Sequence, residues 1–275
     1  MNIGKKYKKN IIYVVLTLFA IIQIAPLIIV LLNSFRTNTQ IKKFPVGIPT
    51  QLNLDNFLKA WKIGGYARAF LNSIIISGIT TLIVVVISIL VGYFLAKSTM
   101  RLKNTFLVYF GVSLSIPVFA YLVPLYYSFS KLDLVNTHLG IILIFIAINL
   151  PFNILLARTF VLGLPNALSE AAVIDGCNVF DIIWKIIFPL ARPVVTTIIL
   201  IVFVATWNEF TMANTFLQDA LIKTAATKYI IFVGDRGSDL SMVYTAGIIT
   251  MLPIVVIFIA LQNYFIEGLT SGSIK

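Results

Sequence analysis

The chain of 275 residues is 59% hydrophobic and only 11% charged, which is far too apolar for a soluble domain of this length. Its formal net charge of +11 does not indicate a nucleic-acid ligand, because the basic residues lie between long apolar runs and suit anionic lipid headgroups. The single cysteine, Cys177, excludes an intrachain disulfide and a cysteine-based metal cluster, and the single histidine, His138, leaves little room for zinc or haem chemistry.

The N-terminal region combines a basic segment, residues 1–10, with a long apolar run, Ile11–Leu32. This run is longer than the ~7–15 apolar residues of a signal peptide, and no Ala-x-Ala cleavage site follows it. We therefore expect a retained first membrane span that also directs insertion.

Six segments are long and apolar enough to cross a bilayer as helices. They are Ile11–Leu32, Leu71–Leu95, Thr105–Phe129, Leu139–Phe160, Val194–Leu217 and Tyr244–Ile266. Prolines fall inside several of them, namely Pro117, Pro124, Pro151 and Pro253. Because proline frees a carbonyl that lipid cannot satisfy, these spans are expected to face partner helices or a cavity. The predicted fold class is an all-α polytopic membrane protein.

Basic residues in short loops predict the orientation of the spans. The N-terminal segment is rich in lysine, and the short loop Lys97–Asn104 holds Lys97, Arg101 and Lys103, so both are expected in the cytoplasm. An even number of spans then places both termini and the loop Arg158–Pro193 on the cytoplasmic side. The loops between the first and second spans and between the fifth and sixth spans are extracellular by the same argument.

This topology divides the chain into four predicted parts. They are a cytoplasmic N-terminal segment (1–10), a first span with its extracellular loop (11–70), a core transmembrane domain (71–266) and a cytoplasmic C-terminal tail (267–275). The extracellular loop contains several prolines and glycines and is long enough to fold over the outer face.

The loop between the fourth and fifth spans carries signals for two short helices. Pro165 suits a first helical turn, and Glu170 falls early in the helix, where the helix dipole favours an acid. Gly176 stands where a helix end requires a left-handed residue, and Asn178 can cap a second, apolar helix, Val179–Leu190. We expect the second helix to lie near the membrane and to bury apolar residues against lipid or neighbouring spans, namely Phe180, Ile183, Trp184, Ile187 and Phe188.

The same loop resembles the EAA loop of ABC importer permeases. The run Glu170-Ala171-Ala172 is followed at the family's spacing by Gly176, Ile186 and Pro189. Phe188 replaces the leucine of the pattern, which is an exchange of one apolar residue for another. The residues alone also fit an amphipathic re-entry loop with no partner, and a lone Glu-Ala-Ala is common in any helix. The full spacing is what favours a docking surface for an ATPase.

The resemblance covers nearly the whole chain and narrows to carbohydrate importers. It is seen in Asn33-Ser-Phe-Arg36, Asn72-Ser73, Leu150-Pro-Phe-Asn153, Trp207-Asn-Glu-Phe210 and Gly268–Lys275, which look like the smaller, maltose-type permease of a heterodimeric pair. Only the loop Gln218–Met242 matches the family poorly.

The resemblance implies a type I importer fold of six transmembrane helices, with a cytoplasmic coupling helix between the fourth and the fifth. The implied partners are a second, larger permease, two cytoplasmic ATPases and an extracellular sugar-binding protein, in the plasma (inner) membrane of a prokaryote. The residues implied to contact the ATPase are Glu170, Ala171, Ala172, Asp175 and Gly176.

The chain itself has no Gly-x-x-x-x-Gly-Lys-Ser/Thr sequence to hold phosphates, so ATP and Mg²⁺ are expected on the partner ATPases and no cofactor is expected in this chain. It also has no Ser-His-Asp set, and His138 falls at the edge of a span, where a headgroup-level position is expected. The chain is therefore not expected to be an enzyme.

Glu209 is the one acidic residue predicted to lie within a span, where a charge costs ~2.5–3.5 kcal/mol at the bilayer centre and usually faces the bundle or a water-filled cavity. Trp207 and Asn208 lie beside it. A sugar requires hydrogen-bond partners and an aromatic face, and these three residues supply both. Further candidates for the substrate path are Asn149, Asn153, Tyr121, Tyr126 and Tyr127. Alternatively, Trp207–Phe210 is structural, with Asn208 and Glu209 bonded across helices and the larger permease holding most of the sugar contacts.

Three other functions stay open from the residues. The chain could belong to an ABC importer for another solute. An ion-coupled secondary transporter would need ionisable residues near the midplane, and only Glu209 comes close. A membrane scaffold without transport activity would not co-purify with a second permease and an ATPase, whereas an importer permease should.

Overall fold

A computed structural model describes residues 3–98, 100–234 and 238–270 of the chain. Within these ranges the regular elements are all helical. In chain order the helices are α1 (Ile3–Ser34), α2 (Asn38–Lys43), α3 (Asp55–Gly64), α4 (Tyr66–Lys97), α5 (Lys103–Ser115), α6 (Leu122–Lys131), α7 (His138–Leu162), α8 (Asn166–Ile174), α9 (Val179–Leu190), α10 (Arg192–Asn208), α11 (Thr211–Phe216) and α12 (Leu240–Thr270). Residues 271–275 of the family-like C-terminal motif lie outside the described residues.

Four helices contain stretches that are long and apolar enough to cross a membrane on their own. These stretches are Lys9–Ser34, Tyr66–Lys97, His138–Leu162 and Leu240–Ala260, and they confirm the first, second, fourth and sixth predicted spans. Two further spans exist only as bent pairs of helices, and the described residues hold six spans when each pair is counted as one.

The third predicted span, Thr105–Phe129, is wrong as a single helix. Helix α5 ends at Ser115, and the helical segment Val118–Lys131 continues at an angle of 91°. The break lies at Pro117, and Ile116 before it has an extended backbone, with φ −84° and ψ 122°. A residue that precedes proline is disfavoured in the helical region, and the proline has no N–H to continue the hydrogen-bond ladder, so the helix stops here.

The fifth predicted span, Val194–Leu217, also differs from the structure. Helix α10 ends at Asn208, Glu209 is extended with φ −68° and ψ 119°, and the chain resumes as the short helix α11. Towards the N-terminus, α9 and α10 meet at an angle of 80°. Glu209 is therefore not part of a spanning helix, which corrects the prediction that placed it within a span.

Local sequence signals account for several helix boundaries. Thr137 caps α7, because its hydroxyl accepts the backbone N–H of Gly140 at 3.0 Å. Thr37 and Gln40 form a reciprocal capping box at the start of α2. Gly65 ends α3 in the left-handed conformation, with φ 62°, so that α4 begins at the next residue.

The chain forms two compact units, Met1–Tyr66 with Lys228–Pro253, and Ala67–Thr227 with Ile254–Lys275. The second unit has two apolar clusters. One joins α4, α7, α9 and α10 through residues such as Ile89, Ala157, Ile183 and Ile198. The other joins α4, α7 and α11 through residues such as Ile76, Phe145 and Phe216. The first cluster seats the loop between α7 and α10, and the second lies beside the break that contains Glu209.

Candidate functional site

We refer to residues 165–190 as the EAA loop. Its first helix, α8, is tied to the end of α4 by Lys97. The Lys97 Nζ donates to the carbonyl oxygen of Leu164 at 2.8 Å and to Oδ1 of Asn166 at 2.6 Å. Pro165 is the N-cap of α8 and has an extended backbone, so it lies one residue before the first helical turn in which the sequence predicts it, although the helix begins there as predicted. The position of α8 is therefore fixed by a side chain from a spanning helix.

A left-handed glycine makes the bend of the EAA loop. Gly176 has φ 80°, and its N–H donates to the Val173 carbonyl at 3.0 Å, while the Cys177 N–H donates to the Ala172 carbonyl at 2.9 Å. This pair of bonds is a Schellman motif, which satisfies carbonyls that the helix end leaves open. Asn178 then caps α9, because its Oδ1 accepts the N–H of Asp181 at 3.0 Å. Both signals were predicted, and both are confirmed.

The EAA loop presents an exposed surface of mixed character. Ala172 is buried beneath α8, whereas the other four residues predicted to contact the ATPase are exposed, namely Glu170, Ala171, Asp175 and Gly176. Beside them, Val173 is 61% exposed and Ile174 is 85% exposed. Val173 and Ile174 are not among the predicted contact residues, although an apolar pair at the end of a short helix outside the spans indicates a protein contact.

Helix α9 is seated by one apolar face. Ile182, Ile183 and Ile187 are buried in the first cluster, which confirms the predicted burial of Ile183 and Ile187. Phe180 is 65% exposed and Trp184 is 40% exposed, so they do not pack on neighbouring spans of this chain, and their burial against lipid stays a prediction. The buried isoleucines pack α9 against α4, α7 and α10, so a displacement of the EAA loop must also move these spanning helices.

A cleft of about 530 Å³ lies where α8 and α9 meet the end of α4. Lys97, Glu170, Ile174 and Val179 are among the residues that line it. It places a positive and a negative side chain next to exposed apolar groups, which suits a polypeptide partner.

The substrate-path candidates lie in several places, and Glu209 marks the principal one. Its Oε1 accepts the N–H of Met212 and its Oε2 accepts the N–H of Ala213, each at 2.9 Å. The carboxylate thus caps the N-terminus of α11, where an acid is stabilised by the free N–H groups and the helix dipole. This capping role was not predicted, because Phe210, Met212 and Phe216 extend the apolar run beyond the end of α10.

A cavity of about 420 Å³ brings two of the predicted residues together. Asn149 from α7 and Glu209 both line it, with Thr206 of α10 as a third polar residue. The other lining residues are mainly apolar, namely Pro117, Val118, Phe119, Phe145, Ile148, Ala205 and Met212. The breaks after α5 and after α10 both border this cavity, which agrees with the rule that non-helical backbone at membrane depth is tolerated where it lines a cavity.

Three further candidates do not line the cavity of Asn149 and Glu209, namely Trp207, Asn208 and Asn153. Trp207 is 2% exposed and packs on Phe70 and Phe203, with ring centroids 5.6 and 5.8 Å apart, whereas Asn208 is exposed. Asn153 is 1% exposed, and its Nδ2 donates to the carbonyl of Asn149 at 2.7 Å. Trp207 and Asn153 thus have structural contacts.

The three predicted tyrosines do not share one site. Tyr121 lines a neighbouring cavity of about 360 Å³. The hydroxyl of Tyr126 accepts a hydrogen bond from the side chain of Gln218 at 2.9 Å. Tyr127 is 62% exposed, with the Lys131 Nζ 4.4 Å from the centre of its ring. All three tyrosines follow the 91° break, and they differ in their surroundings because they face different sides of the segment Val118–Lys131.

A bundle of apolar helices, with two broken spans beside a polar-lined cavity and a rigidly seated helical loop, has the architecture of a membrane transport component. The family described as "Binding-protein-dependent transport system inner membrane component" matches residues 88–271, and the chain belongs to this family. It is a multi-pass inner-membrane component of an ABC transporter, a transport protein rather than an enzyme, as the sequence predicts.

Known proteins resemble the chain over most of its length. The melibiose/raffinose/stachyose import permease protein MelC of Bacillus subtilis is 35% identical, and the match covers 82% of this chain and 83% of MelC. The arabinooligosaccharides transport system permease protein AraQ of Halalkalibacterium halodurans is 33% identical, with 93% of this chain and 92% of AraQ covered. These matches confirm the predicted resemblance to ABC importer permeases.

The fold is also found in a solved structure. A chain in the crystal structure of a bacterial ABC transporter involved in the import of the acidic polysaccharide alginate superposes with a TM-score of 0.82. The match covers 96% of this chain and 99% of that chain at 20% identity. The fold is accordingly that of a type I importer permease, as predicted.

Proposed function

We propose that this chain is one of two permease subunits of an ATP-driven importer for a sugar or oligosaccharide. Membership of the family indicates an ABC transporter, and the resemblance to MelC and AraQ, which are sugar or oligosaccharide permeases, supports a sugar as the substrate class. The proposed partners are a second, homologous permease, two cytoplasmic ATPases that bind ATP and Mg²⁺, and an extracellular sugar-binding protein.

The observation that carries this proposal is the exposed tip of the EAA loop. Val173 and Ile174 lie next to Glu170 and Asp175 on a helix that Lys97 and the α9 isoleucines hold in place. A short rigid helix of this kind can enter a groove of an ATPase and pass on its closure as a rigid-body movement. We infer that Glu170, Ala171, Asp175 and Gly176 contact the ATPase, that Ile174 is the central apolar contact, and that buried Ala172 seats the helix.

The proposed orientation of the chain in the membrane follows from the ATPase as a partner. An ATPase reaches ATP only in the cytoplasm, so the EAA loop and both termini face the cytoplasm. The loops after α1 and after α11 then face the outside, where a binding protein delivers substrate.

The proposed path for the sugar includes the cavity between α7 and α10. Asn149, Thr206 and Glu209 supply polar atoms there, and each carboxylate oxygen of Glu209 has a further lone pair after accepting a backbone N–H. A neutral sugar needs hydrogen bonds rather than a counter-charge, which fits such a lining.

The test combines uptake with co-purification from the native host. Deletion of the gene should abolish uptake of one member of a panel of radiolabelled sugars, and the tagged chain should bring down a second permease and an ATPase. The variant Ile174→Asp should lose the ATPase and uptake. The control variant Leu132→Asp changes a residue that is 66% exposed outside the EAA loop and should keep both. Normal ATPase recovery with Ile174→Asp, or uptake that continues when the ATPase is inactivated, would overturn the proposal.

A further inference from the structure

Helix α3 has three distinct faces. Its small and polar residues Asn56, Ala60 and Gly64, spaced four apart, are buried against the protein. A second face carries large apolar residues that are exposed, namely Leu54 (62%), Leu58 (63%) and Trp61 (41%). A third face carries the exposed residues Asp55, Lys59 and Lys62, with Ile63, which is 61% exposed, at its edge. This distribution is the reverse of a helix that buries its apolar face in the protein core.

The start of α3 is bonded to the end of the first spanning helix. The Asn53 N–H donates to the carbonyl of Phe35 at 3.1 Å. The Asn56 Nδ2 donates to the carbonyls of Ser34 and Arg36 at 2.9 and 3.0 Å. Because the apolar stretch of α1 ends at Ser34, the N-terminus of α3 lies at the level where that span leaves the hydrocarbon.

The end of α3 leads directly into the next span. Gly65 is the only residue between α3 and α4, and the ring of Tyr66, the first residue of α4, stacks on the ring of Trp61 with centroids 6.0 Å apart. Both ends of α3 are thus held at a membrane boundary. A helix of 10 residues fixed in this way at both ends lies in the interfacial region.

We propose that α3 is an interfacial anchor whose apolar face enters the lipid. Leu54, Leu58 and Trp61 insert among the upper acyl chains, and Lys59 and Lys62 meet the phosphate groups. The chemistry is complementary, since tryptophan and lysine are the residues that hold helices at this depth and the lipid phosphates are anionic. The anchor holds the outer loop against the bilayer through the hydrogen bonds to Ser34 and Arg36.

The occupant of this face can be identified by spin labelling. Cys177 is the only native cysteine of this chain, so Cys177→Ser gives a background in which Leu58→Cys or Lys59→Cys carries its only nitroxide label, and the Cys177→Ser chain without a new cysteine gives the label that accompanying subunits take up, which is subtracted. The full chain, purified with whatever subunits accompany it, is placed in vesicles of phosphatidylcholine and phosphatidylglycerol. Collision rates are then measured with oxygen, which concentrates in lipid, and with a water-soluble nickel chelate.

If α3 is an interfacial anchor, the label at position 58 faces the acyl chains and the label at position 59 faces the headgroups. The ratio of the oxygen to the nickel collision rate should then be about threefold or more higher at position 58 than at position 59. A high nickel rate at both positions would show that the face is in water and would overturn the proposal. Low rates for both reagents at Leu58 would show a protein partner, which would overturn it equally. The result is independent of the transported solute.

Discussion

Lys97, the last residue of α4, donates its Nζ to the carbonyl oxygen of Leu164 at 2.8 Å, just before α8 begins. The same ammonium reaches Oδ1 of Asn166 at 2.6 Å, so that one side chain links a spanning helix to both sides of the proline that opens α8. The sequence predicts for Lys97 only a position on the cytoplasmic side of the membrane. In the structure it is a positioning residue for the EAA loop.

The variant Lys97→Met should loosen α8 without changing the exposed surface of the EAA loop. Hydrogen bonds to a charged group contribute about 1.5–3 kcal/mol when buried, but the Lys97 bonds are partly exposed, so a loss of about 1 kcal/mol is expected, which raises the population of an open loop about fivefold. We therefore expect the half-buried thiol of Cys177 to react about fivefold faster with a maleimide in detergent. The control Arg101→Met removes an exposed cation from the loop between α4 and α5, outside the EAA loop, and should leave the rate unchanged. An unchanged rate with Lys97→Met would contradict this role.

The variant Gly176→Val should impair transport through the backbone rather than through a clash. A Cβ at this position would meet nothing within 4 Å, but φ is 80°, which costs a β-branched residue about 1–2 kcal/mol or more. The companion variant Gly176→Asn should be milder, since asparagine tolerates the left-handed region. Uptake and recovery of the ATPase are measured together, and equal behaviour of the two variants would argue against the backbone explanation.

The proposed orientation places Cys177 inside the cell. A membrane-impermeant maleimide should leave intact cells unlabelled and should label the same thiol after permeabilisation, which serves as the positive control. Labelling of intact cells would reverse the orientation and, with it, the assignment of α3 to the outer surface.

Gly92 marks a close contact between α4 and α7. A Cβ at Gly92 would lie 2.9 Å from the Cβ of Ala157 and 2.9 Å from the backbone nitrogen of Arg158. Small residues allow spanning helices to approach in this way, and Gly92→Leu should separate them at a cost of about 1–3 kcal/mol or more. The control Gly78→Ala adds a Cβ that meets nothing within 4 Å on the same helix. Thermal stability in detergent should fall for Gly92→Leu alone.

The sequence predicts those features for which only one or two residue types can adopt the required backbone conformation. The bend at Gly176 was predictable because glycine at a helix end has the required backbone freedom. Pro117 indicated a disturbed span, but the angle of 91° depends on the packing around it and could not be read from a proline alone. The early end of α10 was hidden for another reason: Phe210, Met212 and Phe216 extend the apolar run beyond Glu209, although polar residues stand among them. The hydrogen bonds from the N–H groups of Met212 and Ala213 to the Glu209 carboxylate reveal the cap.

The cap changes what substitutions of Glu209 should do. Glu209→Gln keeps one acceptor oxygen for two backbone N–H groups, and Glu209→Leu keeps none, so that one and two N–H groups respectively lose their partner at about 1–3 kcal/mol each. Complex yield should therefore fall modestly for the glutamine variant and strongly for the leucine variant, together with uptake.

A substitution that spares the cap is needed to test the substrate path, and Asn149→Leu provides it. Asn149 lines the same cavity, and its Nδ2 donates to the carbonyl of Phe145 one turn earlier in its own helix, so the loss of this amide leaves no helix cap unpaired. If the cavity is part of the path, Asn149→Leu should reduce uptake at least tenfold while the yield of the assembled complex stays near that of the unmodified chain, a loss of about 1.4 kcal/mol or more in transport alone. The exposed variant Tyr127→Leu, outside this cavity, should change neither quantity. Normal uptake by Asn149→Leu on the same membranes would remove this cavity from the path and leave Glu209 with its structural role.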